Sequence, residues 1–329
     1  MQSTYILLNP IGLSPYALKT SMKKSIIPCL GFCTAVLICI LCCCAAKPED
    51  VQAAQGYKHS KNSAEVPVFQ SDSKLGKVFP KIKTVQHCEL LPDNAVPWGG
   101  VVSHHALSGK LIDEFFSRLS KKRAINTFIL LSPDHFRASQ DFVSVTYGSW
   151  NTPFGLVESN RALTEKLAAD FGVAYNHRPF YDEHGVATLM PFIKKYFPNA
   201  KVAAIVYEVF DHYSGVTVKK YAECIKKNFQ VESENFLLIS SDFTHGADLQ
   251  TTLAQEERSA RFFSAPLSVS WQNVTCDNMP AIYTFSRIAT ARTNVTTLYK
   301  TNCLFLAPSD ANPNDITSYF FSYFWEKAK

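Results

Sequence analysis

The sequence lacks the two features that would send a reader toward nucleic acid or toward a disulfide scaffold. The net charge is +5, but lysines and arginines are scattered and no basic stripe interleaved with aromatics occurs, so no nucleic-acid partner is expected. Cysteine is scarce where it would matter. Six of the ten lie between positions 29 and 44, which leaves Cys88, Cys224, Cys276 and Cys303 for the remaining body. Four in so long a stretch are too few for a disulfide scaffold, although one or two bridges are allowed in an oxidising compartment, and spacing sets no pairing among Cys88, Cys224 and Cys303. Charge is low as well: 19% charged against 47% hydrophobic residues excludes a disordered chain and supplies a core for one large domain or two small ones. No internal repeat or low-complexity tract interrupts the body, and nothing in the pattern sets the oligomeric state.

What is present begins near the N-terminus. Lys23 and Lys24 precede an uncharged run from Ile26 to Ala46, IIPCLGFCTAVLICILCCCAA. This is a basic n-region followed by an apolar h-region, and it is also about long enough to span a bilayer. We therefore read residues 1–46 as a signal, lipoprotein or membrane-anchor segment, with Met22 as an alternative start. Leu41-Cys42-Cys43-Cys44-Ala45 resembles a loose bacterial lipobox in which Cys42, Cys43 or Cys44 could carry lipid. The expectation is an exported chain anchored to a membrane through that lipid or through an uncleaved helix. Residues 47–77, rich in Lys, Ser, Glu and Gln, read as a flexible tether, and residues 78–329 as the globular domain.

Within the domain, short apolar runs alternate with helix-period segments. Gly99–Ser103, Thr127–Ser132, Lys201–Val206 and Phe236–Ser240 read as strands. Leu107–Lys121, Val186–Phe197, Val216–Asn228, Leu249–Phe263 and Pro280–Thr290 read as helices, followed by strands at Asn294–Leu298 and Ser318–Phe324. Parallel strands need crossover helices, so this alternation predicts a single α/β domain with a central, mainly parallel or mixed sheet flanked by helices. The aromatic tail SYFFSYFWEK fits an inner strand better than an interface.

Open α/β sheets bind ligands beyond the carboxyl ends of their strands. Three of the predicted strand exits carry histidine: His104-His105 after GGVVS, Pro133-Asp134-His135 after TFILLS, and Ser241-Asp242-Phe243-Thr244-His245 after FLLIS. One such histidine would more often cap or pack than ligate. At three exits of one sheet, the imidazoles converge, which is how sites for first-row metals are commonly assembled. A fourth segment, Asp182-Glu183-His184-Gly185, precedes a predicted helix; its acids could simply cap that helix, and His184 could orient a ligand.

Taken in order, these segments resemble the Memo-like family, also called AmmeMemoRadiSam system protein B, over about Trp98 to Tyr323. ISSDFTHG (Ile239–Gly246) is similar to the family's SSDF-x-H-x-G signature, DEHGVATLMPF (Asp182–Phe192) to DEHS-x-E-x-x-LPF, LLSPDHF (Leu130–Phe136) to an apolar run ending in GPSH, VVSHHA (Val101–Ala106) to PHAG, and NVTCDNMPAI (Asn273–Ile282) to T-x-CG-x-x-P. The resemblance implies a fold like that of class III extradiol ring-cleaving dioxygenases, the LigB-like fold. It implies a metal held by His105, His135 and Cys276, with iron(II) or copper as the first expectation and zinc as an alternative; since the proline and glycine of PHAG are missing, either His104 or His105 could ligate, and His105 is favoured because Ala106 follows it. Asp242 and His245 would line the pocket as the catalytic pair, with His245 favoured over His184 as base. His104, Asp134, Glu183, His184 and Ser241 would surround it. There are departures. Gly185 replaces the serine of DEHS, Ala187 replaces an acid, and Asp277 replaces the glycine after the cysteine, which points to an altered pocket. Three functions remain open at this point: a redox metalloprotein or oxygenase, a non-catalytic lipoprotein whose pocket holds a small molecule or peptide, and a metal-assisted hydrolase.

Overall fold

The computed structural model describes residues 66–208 and 215–328. In chain order its elements are β1 (Val68–Gln70), β2 (Ala95–Val102), α1 (Gly109–Ser120), β3 (Thr127–Asp134), β4 (Val143–Val145), β5 (Ser149–Thr152), β6 (Gly155–Val157), α2 (Arg161–Phe171), α3 (His184–Ala187), α4 (Met190–Tyr196), β7 (Lys201–Glu208), α5 (Gly215–Asn228), β8 (Asn235–Ser240), β9 (Phe243–Ala247), α6 (Leu249–Ser264), α7 (Met279–Ile288), β10 (Asn294–Asn302), α8 (Cys303–Leu306) and β11 (Ile316–Lys327). The expected signal or anchor segment, including Cys42, Cys43 and Cys44, lies outside the described residues, as does most of the expected tether. Among the described residues no helix is long and apolar enough to cross a membrane.

Eight strands form a mixed sheet in the order β10-β11-β2-β8-β3-β7-β4, with β9 also paired to β11. The centre, β2-β8-β3-β7, is parallel, and β4, β10 and β11 join antiparallel. The strands alternate their side chains between two cores because successive residues point to opposite faces. On β3, Phe128 and Leu130 face one core and Ile129 and Leu131 the other; β7 and β8 divide in the same way. The first core is closed by α1 and α4 through Phe115, Phe116, Phe192 and Ile193. The second is closed by α2, α5, α6 and α7 through Phe171, Ile225, Phe262 and Phe285. Strands buried on both faces read as continuous apolar runs, which is why they could be placed from the sequence.

Three differences from the sequence reading have local causes. The helix expected over Val186–Phe197 is two helices, α3 and α4, and Pro191 sits in the first turn of α4, where its missing N–H costs nothing. The expected tether ends earlier than residue 77, since β1 at Val68–Gln70 pairs with β5 and buries Phe69 against Trp150 and Phe180. The aromatic tail is longer than expected, and as β11 it lies between β10 and β2, inside the sheet. Cys88, Cys224, Cys276 and Cys303 are all free, so neither allowed bridge forms among the described residues.

Candidate metal centre

Because β8 lies between β2 and β3, the three histidine-bearing exits are neighbours at one end of the sheet. The turn after β2 decides which histidine points inward. Ser103 Oγ accepts from the His105 amide at 3.0 Å and lies 3.0 Å from Ser108 Oγ, whose proton goes to His105 O at 2.8 Å. His104 is left 2% exposed, while His105 is exposed and its Nδ1 lies 2.5 Å from the Tyr319 hydroxyl.

The ring orientation of His104 follows from its partner. Ser240 Oγ has one proton and donates it to Gly185 O at 2.6 Å, so at 2.9 Å it accepts from His104 Nδ1–H. The lone pair of neutral His104 is thereby placed on Nε2, which faces Asp277 Oδ2 at 3.3 Å and Asp242 Oδ2 at 3.7 Å. His135 is arranged alike. Its Nδ1–H donates to the fully buried Glu183 Oε1 at 2.7 Å, its amide donates to Glu183 Oε2 at 2.8 Å, and its Nε2 faces Asp277 Oδ2 at 3.4 Å. A buried carboxylate behind an imidazole fixes the tautomer and raises the basicity of the other nitrogen, the usual support of a metal-bound histidine. Glu183 also caps α3 by accepting from the Gly185 amide, so both readings of this acid hold together.

Asp277 is the residue at the centre. Its Oδ1 accepts from Ser241 Oγ at 2.8 Å and from the Asp242 amide at 3.1 Å. Its Oδ2 is turned to the histidines, including His245 Nε2 at 3.5 Å. The loop that carries it is pinned by the next residue. Asn278 is fully buried, donates to Leu131 O at 3.1 Å and Ser240 O at 2.9 Å, and caps α7 through the Ala281 amide. A backbone bond from Asp277 N to Asp242 O, 3.0 Å, closes the loop onto the turn between β8 and β9.

The remaining expected residues fall around this core. His184 is half-exposed and its ring lies 4.1 Å from that of His135. His245 is half-exposed on β9, where its Nδ1 lies 3.5 Å from Thr317 Oγ1. Asp242 is buried, and its Oδ1 has no hydrogen-bond partner. Asp134 is buried at the end of β3, where Oδ2 accepts from the Ser139 amide. Cys276 is partly buried, with Sγ 3.7 Å from Met279 Sδ. Among the described residues two groups bring ligand atoms within 4.8 Å of one another: His104, His135 and His184, and His104, Asp242 and Asp277. Neither group includes His105 or Cys276. Two residues of the core were not favoured from sequence as ligands: His104, which takes the inward place expected of His105, and Asp277. For Asp277 the signal was there, as a carboxylate standing where the family motif has glycine.

The electrostatics follow the geometry. Burial works against the charged form of His135, but the facing Asp277 carboxylate and the hydrogen-bonded Glu183 outweigh it and pull the imidazole up to about 10. His104 is raised for the same reason, burial being overcome by Asp242 and Asp277. Asp277 is held well below the carboxylate range despite its burial, because His104, His135 and His245 surround it. His184 goes the other way: burial, then the neighbouring His135 and His104, push it down to about 4. Burial pushes the Cys276 thiol up to about 12, with the Asp277 carboxylate adding to the effect.

The protein-family comparison matches residues 82–262 to the Memo-like protein model, which takes in β2, β3, β8 and β9 and stops short of Cys276 and Asp277. A MEMO1 family protein of Pyrobaculum aerophilum is 28% identical over 163 residues, 48% of this chain and 57% of the relative. Similar proteins occur in Methanococcoides burtonii, 28% identical over 172 residues, 50% of this chain and 60% of the relative, and in Methanothermobacter thermautotrophicus, 23% identical over 164 residues, 48% and 58%. The chain thus spans a little over half the length of the curated relatives it matches. The matched model covers more than half of the chain, and the chain belongs to the Memo-like family.

Proposed function

We propose that this Memo-like protein holds a redox-active divalent metal through His104, His135 and Asp277, in a site of the two-histidine, one-carboxylate kind. Two separations at Asp277 Oδ2 carry the reading, together with His104 being shared by the two convergent groups, one of which holds His135 and the other Asp277. Asp277 Oδ2 stands 3.3 Å and 3.4 Å from the two Nε2 atoms. Charge-assisted N–H···O contacts are shorter, about 2.7–2.9 Å, whereas two donors each about 2.0–2.2 Å from one ion are separated by roughly 3.0–3.5 Å. The unpartnered Oδ1 of buried Asp242 fits the same reading, since a buried carboxylate oxygen without a donor is costly unless a cation is near. Nitrogen and carboxylate donors with open positions suit iron(II) better than copper(I), which prefers thiolate, and zinc fits the donor set as well. When bound, such a metal supplies a positive centre at which a ligand or dioxygen is polarised.

The chain's own residues supply the rest. Glu183 and Ser240 orient the two imidazoles, and Ser241 and the Asp242 amide orient the carboxylate. His184, neutral at pH 7, can accept a proton from a group entering on the open side. His245, half-exposed beside Asp277, stands where a second proton acceptor could act. The reading includes a dioxygenase-like fold, supported by convergence of the parallel strand exits. It also includes export to a membrane, supported by the Lys23-Lys24 and Ile26–Ala46 pattern; recovery of the whole chain without detergent would contradict the latter.

Metal content of anaerobically purified variants tests the centre. His104→Ala, His135→Ala and Asp277→Asn are each expected to lower metal affinity by at least tenfold, and His105→Ala and Cys276→Ala to leave it within a factor of three. Loss of the metal in Cys276→Ala with retention in Asp277→Asn would restore the thiolate ligand set and end the carboxylate one.

A further inference from the structure

A groove of about 610 Å³ opens beside the centre, lined among others by Phe136, Arg137, Ser139, Arg178 and Asp182. Its size is within the range of small-molecule sites. Phe136 directly follows the proposed ligand His135, is 58% exposed, and meets the His184 ring edge-on at 6.0 Å. An apolar ring is therefore held at the boundary between groove and centre, where it has more to gain from a ligand than from water.

Arg137, Arg178 and Asp182 are the charged residues of the groove lining, and the Arg137 charge also acts on the nearby Glu208 carboxylate. Arg137 is the one described non-glycine residue in the left-handed region, with φ 51°. That conformation costs a residue with a Cβ on the order of 1 kcal/mol. It is fixed by the turn after β3, where the Arg137 amide donates to Asp134 O and the Ser139 amide to Asp134 Oδ2. Strained backbone of this kind collects at binding sites. Arg178 opens the single 3-10 turn Arg178–Tyr181 that leads into Asp182 and Glu183. It is exposed, and its guanidinium makes no hydrogen bond or ion pair among the described residues. A guanidinium presents a planar fork that matches a carboxylate, and the neighbouring phenyl ring matches a planar apolar body.

We propose that this groove is the subsite for an aromatic carboxylate: the ring packs on Phe136, the carboxylate is held by Arg178 with Arg137 adding positive field, and the far edge of the ring is directed to the metal. The proposal rests on the metal reading above but fails or stands separately from it. The test is calorimetric titration of the full-length protein with benzoate, benzyl alcohol and acetate, with metal content measured on the same samples. Benzoate is expected to bind at least tenfold more tightly than benzyl alcohol, which lacks the charge, and than acetate, which lacks the ring. Arg178→Gln and Phe136→Ala are each expected to weaken benzoate at least tenfold without changing metal content. Equal binding of benzoate and benzyl alcohol, or wild-type benzoate affinity in Arg178→Gln, would overturn the subsite. A chain that retains metal yet binds no benzoate sinks the subsite alone. A chain that holds no metal yet binds benzoate through Arg178 sinks the metal reading alone.

Discussion

At the scale of single residues, the centre is a competition between protons and an ion for the same lone pairs. His135 is pulled up to about 10, so in the metal-free chain at pH 7 it favours the protonated form, and His104 is shifted in the same direction by Asp242 and Asp277. The sign follows. A raised pKa means the stabilising contacts of the imidazolium are fully present below the ordinary histidine value and are lost as pH climbs toward 10. Metal uptake must expel those protons, so its apparent affinity rises across the same window by about tenfold per pH unit for each proton displaced. Metal titrations at pH 6, 7 and 8 check this, and an affinity flat with pH would show that the imidazoles are not the ligands.

Gly185 and Ser132 stand where the family motifs DEHS and GPSH have serine and glycine. A Cβ at Gly185 would collide with Ser132 Oγ and lie 2.9 Å from Glu183 Oε1, so the glycine is required by its neighbour. The two departures compensate each other. Gly185→Ser alone is expected to destabilise the protein by about 2 kcal/mol through overpacking. Ser132→Gly in the same chain is expected to restore at least half of that, giving a coupling of about 1 kcal/mol in denaturant unfolding. Additive single-variant effects would refute the pairing.

At the scale of elements, the loop between α6 and α7 is what turns three strand ends into one site. Asn278 ties that loop to β3 and β8 while capping α7. Asn278→Ala removes a cap and leaves two buried carbonyls without their donor, for an expected loss of about 2–4 kcal/mol in urea unfolding. A loss under about 0.5 kcal/mol would mean that other contacts hold the loop. Much of this layer could be read from the sequence. The doubly buried strands β2, β3, β7 and β8 announce themselves as apolar runs, and their exits carry the histidines. The short strands β1, β5 and β6 carry no such period, and β9 is hidden inside the SDFTHG motif, so these depended on tertiary pairing. Convergence of the exits was legible as well. The choice between His104 and His105 was not, because it turns on the Ser103 and Ser108 hydroxyls, which spacing does not reveal.

At the scale of the whole molecule, the α/β sandwich brings three parallel strand ends together, and the α6–α7 loop adds a carboxylate where related motifs have glycine. The central claim is that this carboxylate, rather than the adjacent thiol, completes the first coordination sphere. Burial keeps the Cys276 thiol protonated, with a pKa of about 12, and its sulfur lies against Met279. X-ray absorption spectroscopy of the iron-loaded chain tests the claim most directly. It should show nitrogen and oxygen scatterers alone, at about 2.0–2.2 Å. A sulfur scatterer at about 2.3 Å would contradict it.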